Sequence, residues 1–274
     1  MNVYLLDYGA GNVRSLVNAV EFLGFTVIKI QKASDFDCAQ AILFPGVGAF
    51  GTAIDALKDM GFLDPLKAYL KSNKPFMGIC VGMQVLFLGS DESPDAQGIG
   101  LIPARVKRFS IKSTVPHMGW NFANCPQPVE GANISSTARY YFVHSFRVCE
   151  AGLDGWTYSR TTYGSETFVS SVLKGSVFAT QFHPEKSGPA GLEVLRSFLL
   201  NYSSLSPKFI NSPSIVRPED GLSKRIIACL DVRTNDEGDL VVTKGDQYDV
   251  REKEGRNVRN LGIFLNIFIK REAC

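Results

Sequence analysis

Four short runs rich in apolar residues punctuate the first eighty residues: Val3 to Leu6, Thr26 to Ile30, Ala41 to Phe44 and Phe76 to Ile79. Each is too short for a helix and is bounded by turn-forming residues, so each reads as a buried strand. Between the first two, Val13, Leu16, Val17, Val20 and Leu23 recur at helical spacing, with Asn12 placed as N-cap and Gly24 as the stop. Further helical patterns near Thr52–Lys58 and Pro65–Lys71 separate the third and fourth strands. This alternation predicts an α/β fold, a mostly parallel sheet with helices on both faces. In such a sheet ligands gather at the carboxyl ends of the strands.

The stretch that organises the chain follows the fourth strand. Gly78-Ile79-Cys80-Val81-Gly82 is a G-x-C-x-G pattern, the thiol counterpart of the strand–turn–helix elbow that presents a nucleophile. Glycines at the second position on either side let helix and strand approach closely, and Val85-Leu86-Phe87-Leu88 is expected to continue as the apolar part of that helix. The loop Pro45-Gly46-Val47-Gly48-Ala49-Phe50-Gly51, after the third strand, lies at the same sheet edge and can turn main-chain N–H groups toward a ligand. Residues 89–105 read as a loop. Tyr140 to Phe146 reads as a strand, Phe168 to Leu173 and Ser176 to Gln181 as a hairpin across Lys174-Gly175, and Gly191 to Leu200 as a closing helix. His117-Met118-Gly119-Trp120-Asn121 is a polar and aromatic cluster.

A first domain of residues 1–203 accounts for these elements. Residues 204–221 are rich in Ser, Pro and Asn and read as a linker. A new apolar run, Arg225 to Val232, opens a second piece over residues 222–262, and residues 263–274 form an apolar, basic tail.

Composition narrows the chemistry. The net charge of +2 gives no ground for a nucleic-acid surface, and no apolar run is long enough to span a membrane. Six scattered cysteines without a C-x-x-C pair point to a reducing compartment, and with three histidines they show no zinc-ligand spacing, so neither metal nor cofactor is expected. A thiol nucleophile needs a base within hydrogen-bond reach. His183 follows a strand and is stiffened by Pro184, and Glu185 stands two residues on, where its carboxylate can orient the imidazole. The order Cys80, His183, Glu185 is therefore the candidate catalytic set. The alternative is a buried structural cysteine with an ordinary histidine; His117 and His144 are given that structural role.

The elbow, the Pro-Gly-x-Gly loop and the His-Pro-Glu turn, in this order, resemble the class I glutamine amidotransferases over residues 1 to about 200. Within them the details resemble the glutaminase part of plant-type bifunctional imidazole glycerol phosphate synthases, in Asp7-Tyr8-Gly9-Ala10-Gly11-Asn12, in His117 to Asn121, in Tyr141-Phe142-Val143-His144-Ser145 and in Gln181-Phe182-His183-Pro184-Glu185-Lys186-Ser187. The second piece carries the resemblance further: Lys224 to Arg233 is similar to the first strand of that enzyme's cyclase (β/α)8 barrel, and Lys244 to Arg251 to its first βα loop. The resemblance implies that Cys80 attacks the side-chain amide of glutamine, with His183 as base and Glu185 orienting it. It implies an oxyanion hole from the main chain of Val47, Gly48 and Val81. Gly46, Gln84, Ser145 and Phe146 would line the glutamine pocket, where Phe146 replaces a usual Tyr. Asp231 and Lys244 would be remnants of the cyclase site. Trp120 and Asn12 match positions facing the barrel, the partner normally fused in cis.

A (β/α)8 barrel takes about 250 residues, and only its first strand and loop are matched here, with nothing similar after Gly262. The expectation is a truncated product without cyclase activity and with weak glutaminase activity when alone. Two other readings stay open: a non-catalytic product that binds glutamine or a barrel, and a related thiol hydrolase such as a γ-glutamyl hydrolase. The plant-type resemblance implies the plastid stroma, if a leader is missing or removed, and otherwise the cytoplasm.

Overall fold

A computed structural model describes residues 2–125, 132–150, 152–202, 231–234 and 240–243. The chain divides into two compact units, residues 1–215 and 216–274.

In the first unit the opening strands are β1 (Asn2–Leu5), β2 (Thr26–Lys29), β3 (Ala41–Gly46) and β4 (Phe76–Cys80), separated by helices α1 (Val13–Phe22), α2 (Asp35–Cys38), α3 (Phe50–Asp59) and α4 (Leu63–Lys71). After β4 come the single turn α5 (Val81–Gln84) and strands β5 (Phe87–Ser90), β6 (Ser93–Gln97) and β7 (Ile102–Arg108). Strands β8 (His117–Phe122) and β9 (Arg139–His144) pair with one another. Then follow β10 (Phe146–Val148), β11 (Thr157–Tyr163), β12 (Glu166–Lys174) and β13 (Val177–Thr180), a 3-10 turn at Pro184–Lys186 and the closing helix α6 (Gly188–Asn201).

The main sheet runs β2-β1-β3-β4-β13-β12-β10-β7-β5-β6, with β11 on β12. Its first five strands are all parallel, and the polypeptide turns antiparallel from β13 onward before β5 and β7 pair parallel again. Every residue of β3 and β4 is buried, the mark of central strands covered on both faces and the reason these runs are apolar without alternation. Each helix closes one face with a stripe at helical spacing: Leu16, Ala19 and Val20 on α1, Ala53, Ile54 and Leu57 on α3, Val194, Leu195, Phe198 and Leu199 on α6. Stepping from β1 to β2 and from β3 to β4 moves in opposite directions across the sheet, and right-handed crossovers then place α1 and α3 on opposite faces.

Several expectations are corrected. The helix after the elbow does not reach residues 85–88. It stops after one turn, where Leu86 N–H bonds to the Met83 carbonyl, and Phe87–Ser90 joins the sheet as β5 because β7 offers it a parallel partner. The segment 89–105 read as a loop holds the rest of β5, all of β6 and part of β7; its Gly and Pro residues punctuate strands too short to show a period. The strand expected over 140–146 breaks at Ser145, where the chain leaves β9 and its pairing with β8 and enters β10 on the main sheet. Helix α2 and strand β11 had no counterpart in the pattern.

In the second unit, strands β14 (Asp231–Thr234) and β15 (Leu240–Thr243) pair antiparallel. The second of these lies within residues 233–262, whose charged, Gly-punctuated sequence reads as a loop. The proposed linker, most of the expected strand 225–232, Lys244 and the tail lie outside the described residues.

Candidate active site

Three adjacent parallel strands end at one edge of the sheet. β3 runs into the 46–49 loop, β4 ends at Cys80, and β13 leads to His183. Cys80 has φ 57° and ψ −108°, a left-handed conformation that costs a non-glycine residue about 1–3 kcal/mol. The close approach that the flanking glycines were expected to permit is visible in atoms. A Cβ on Gly78 would lie 2.7 Å from the carbonyl carbon of Gly82, and one on Gly82 would overlap the Phe44 carbonyl oxygen. The sharp turn delivers Cys80 to the wall of a pocket of about 510 Å³ that is also lined by Val47, Gly48, Val81, Gln84, Val143, Ser145 and Phe146. Of the substrate-pocket expectations, only Gly46 is not on that wall. It packs beneath, where a Cβ would sit 3.0 Å from both the Tyr8 hydroxyl and the Val81 Cβ.

His183 is buried and held from three sides. Its N–H donates to the Tyr141 carbonyl (2.9 Å), and the Ser187 hydroxyl donates to its carbonyl (2.6 Å) while accepting from the Tyr141 N–H (2.9 Å). Strand β9 and the turn after β13 are thus locked together, and the imidazole Nδ1 lies 2.8 Å from Glu185 Oε1. Among the described residues the other ring nitrogen, Nε2, has no hydrogen-bond partner, and neither has Glu185 Oε2, though both are buried. Burial opposes charge on this ring, but the Cys80 sulfur and then the Glu185 carboxylate outweigh it and push its pKa up to about 10. Although Nε2 falls short of a formed hydrogen bond to the sulfur, the sulfur is the strongest of the influences that raise its proton affinity. That is the arrangement expected of a thiol and its base before substrate draws them together.

The loop after β3 is tethered. Tyr8, from the loop after β1, donates its hydroxyl to the Val47 carbonyl at 2.7 Å, and burial pushes its pKa up to about 12. Carbonyl and N–H of one trans peptide point in opposite directions, so the Gly48 N–H is directed away from Tyr8. Gly48 itself, at φ 89°, adopts the left-handed backbone that glycine makes cheap. The Val81 N–H opens α5 directly after the sulfur-bearing residue.

Three residues of the site had no signal in the sequence pattern. Glu92 sits in the segment read as a loop; it accepts the Phe50 N–H at 2.8 Å and is the carboxylate on the pocket wall. Tyr8 belongs to a motif whose role was unassigned. Gln181 is buried two residues before His183, its side chain 3.6 Å from the Cys80 sulfur. His144, read as structural, reaches the pocket wall at the end of β9. Asp231 is described in its backbone only, and Lys244 lies outside the described residues. Among the described residues no group of three or more His, Cys, Asp or Glu side chains could hold a metal ion.

This fold and this thiol site coincide with a recognised class. The family model described as glutamine amidotransferase class-I matches residues 4–202, and the chain belongs to that family. It is similar to the imidazole glycerol phosphate synthase hisHF of Emericella nidulans, with 47% identity over 274 residues, covering 95% of this chain and 49% of that protein. It is also similar to the chloroplastic imidazole glycerol phosphate synthase hisHF of Arabidopsis thaliana, with 48% identity over 268 residues, 95% of this chain and 44% of that one. The imidazole glycerol phosphate synthase subunit HisH of Methanothermobacter thermautotrophicus is 42% identical over 200 residues, 72% of this chain and 97% of the subunit. The chain thus spans about half the length of the hisHF relatives and nearly the whole of the HisH subunit. Among solved structures, the crystal structure of a glutamine amidotransferase shares the fold, with a TM-score of 0.59 at 21% identity over 73% of this chain and 98% of that one. The structure of PurLQS from Thermotoga maritima does so equally, with a TM-score of 0.59 at 20% identity over 74% and 99%.

Proposed function

We propose that this chain hydrolyses glutamine with Cys80, His183 and Glu185 and delivers the ammonia to a cyclase barrel, as the glutaminase part of an imidazole glycerol phosphate synthase in histidine biosynthesis. The observation that carries the reading is the strained Cys80 elbow, which opens on the pocket, with the buried His183–Glu185 pair acting on its sulfur. In this reading His183 takes the thiol proton and the Cys80 sulfur bonds to the side-chain amide carbon of glutamine. The carbonyl oxygen becomes an oxyanion held by main-chain N–H groups of Val81 and of the Val47–Gly48 loop. Each such donor is worth about 2.7–4 kcal/mol in the transition state. His183 then gives its proton to the leaving nitrogen, the C–N bond breaks, and ammonia departs from a thioester. Water, deprotonated by the same imidazole, splits the thioester to glutamate and restores the thiol. Glu185 keeps the ring in register and stabilises its charge.

The pocket offers matching groups for the rest of the substrate. Glu92 supplies a carboxylate for the α-ammonium. Gln84, Ser145 and Phe146 also line it, the last two at the switch from β9 to β10. The partner reading is supported by an exposed apolar strip on β8: Met118, Trp120 and Phe122 alternate outward while His117 points in. It is also supported by identity to the hisHF relatives that extends over 95% of this chain, well past residue 202. We read residues 1–203 as the glutaminase domain, 204–221 as a linker and 222–262 as cyclase sequence, with Asp231 and Lys244 belonging to the cyclase. The chloroplastic relative supports a plastid setting for a plant form.

The test is glutamate release from glutamine by this chain, alone and with an intact cyclase barrel and its nucleotide ligand. Release that is stimulated by the barrel and lost in Cys80→Ala is expected. A folded sample that releases none under either condition would favour a glutamine- or barrel-binding product without catalysis.

A further inference from the structure

The donor directions around the sulfur can be read from one carbonyl. A carbonyl oxygen only accepts. His144 Nδ1 lies 2.7 Å from the Phe146 oxygen, so Nδ1 carries the proton. Burial pushes the His144 pKa down to about 3 and that of His117 to about 4, so near neutral pH each ring bears a single proton. His144 Nε2 is then an acceptor for His117 Nδ1–H at 3.2 Å, and His117 Nε2 in turn for the Asn121 amide at 3.4 Å. The same Phe146 oxygen sets the glutamines. Gln84 faces it at 3.2 Å, so the facing atom is the amide nitrogen, which donates also to Gln181 Oε1 at 3.0 Å. With its oxygen assigned, Gln181 turns its nitrogen to the Cys80 sulfur at 3.6 Å. A flipped Gln181 would set two N–H groups against each other and an oxygen against the sulfur.

We propose that Gln181 is a catalytic residue of this thiol site, its side-chain N–H fixed as a hydrogen-bond donor that stabilises the Cys80 thiolate. The inference rests on the reading of Cys80 as nucleophile and adds a donor to it. Gln181 has no room to turn: it is fully buried, and its own N–H is bonded to the Ser170 carbonyl at 2.8 Å. A neutral donor suits this position because it steadies the thiolate without competing with His183 for the proton. The titratable groups bearing on the sulfur are His183 with Glu185 behind it, Tyr8 from the loop after β1, His144 at the end of β9 with His117 behind it on β8, and Glu92 across the pocket. None of these supplies the fixed neutral N–H that Gln181 does.

The experiment is the rate of Cys80 alkylation by iodoacetamide as a function of pH, which needs no glutamine turnover. It uses the full chain and the variants Gln181→Met and Gln181→Glu, both close in length to the original side chain. Charge-assisted bonds are the stronger ones, so Gln181→Met is expected to alkylate about tenfold more slowly at pH 7, with its profile moved to higher pH. Gln181→Glu, whose carboxylate repels a thiolate, is expected to be slower still. Folding is checked by circular dichroism. In the unsubstituted protein the Gln181 side-chain amide protons are expected to shift in NMR spectra when Cys80 ionises or is alkylated. Profiles within twofold of the parent in folded variants, or Gln181 amide resonances indifferent to the state of Cys80, would overturn the proposal. Fast, Gln181-dependent alkylation in a chain that never hydrolyses glutamine would leave it standing and remove only the glutaminase reading.

Discussion

At Cys80 the backbone bears a strain that a side chain makes worse. Alanine ordinarily stabilises relative to glycine, but at φ 57° the order should invert. Cys80→Gly is expected to melt at a higher temperature than Cys80→Ala, with thermal unfolding followed by circular dichroism. The three histidines divide by their surroundings. His183 binds its proton more tightly folded than unfolded, so the stability it contributes is complete below pH 6.5 and is lost as pH rises toward 10. His117 and His144 bind theirs more weakly, so their contribution is complete above pH 6.5 and is lost as pH falls toward 4 and 3. Urea midpoints against pH should therefore fall on both sides of a maximum near pH 6.5. Imidazole NMR resonances should show His183 titrating far above the other two, and Cys80→Ala, by removing the sulfur, should bring its midpoint down. Tyr8→Phe removes the tether on the Val47 carbonyl; in the proposed reaction that loop faces the developing oxyanion rather than the amino-acid end, so glutamate-release kinetics should show a lower kcat with little change in KM.

Among the elements, the elbow is held by shape more than by propensity. α5 has four residues, too few to stand alone. It exists because β3 and β4 present backbone to it at a distance only glycine allows. Gly82→Ala must push the Phe44 carbonyl aside within a strand that is buried throughout. The loss is expected to be about 2 kcal/mol or more, read as a lower urea midpoint. The β8–β9 pair is a second device of this kind. It stands apart from the main sheet, yet by the Tyr141–His183 and Tyr141–Ser187 bonds it holds the turn that carries His183.

For the whole molecule, the exposed strip on β8 lies on the strand whose inner side carries His117 and Asn121, the far end of the chain of bonds leading to Gln181 and the sulfur. A partner seated on Trp120 would therefore press on a strand already connected to the pocket. The chain has two tryptophans, and Trp156 is buried while Trp120 is exposed. Its fluorescence should report docking: adding an intact cyclase barrel is expected to blue-shift the emission of the parent but not of Trp120→Phe. An unchanged parent spectrum under conditions where the barrel stimulates glutamate release would place the docking surface elsewhere.

The elements legible from sequence were those whose local pattern carries its own energetics. The unbroken apolar runs of β1, β3 and β4, the Val-Ile centre of β2, the helical stripes of α1, α3, α4 and α6, and the β12–β13 hairpin bury surface in any tertiary setting compatible with them. The Gly-x-Cys-x-Gly and His-Pro-Glu turns were legible for a related reason: few residue types tolerate those backbones, so the chemistry is written in the spacing. Residues 85–105 were not legible, because a four-residue strand such as β5 is stabilised by its neighbours β6 and β7 rather than by its own sequence. Gln181, Glu92 and Tyr8 were equally silent. A buried amide, a carboxylate in a loop and a tyrosine after a strand acquire function only from what stands opposite them. It is the tertiary structure that sets Phe146 between Gln84 and His144, and so decides which atom of Gln181 meets the sulfur.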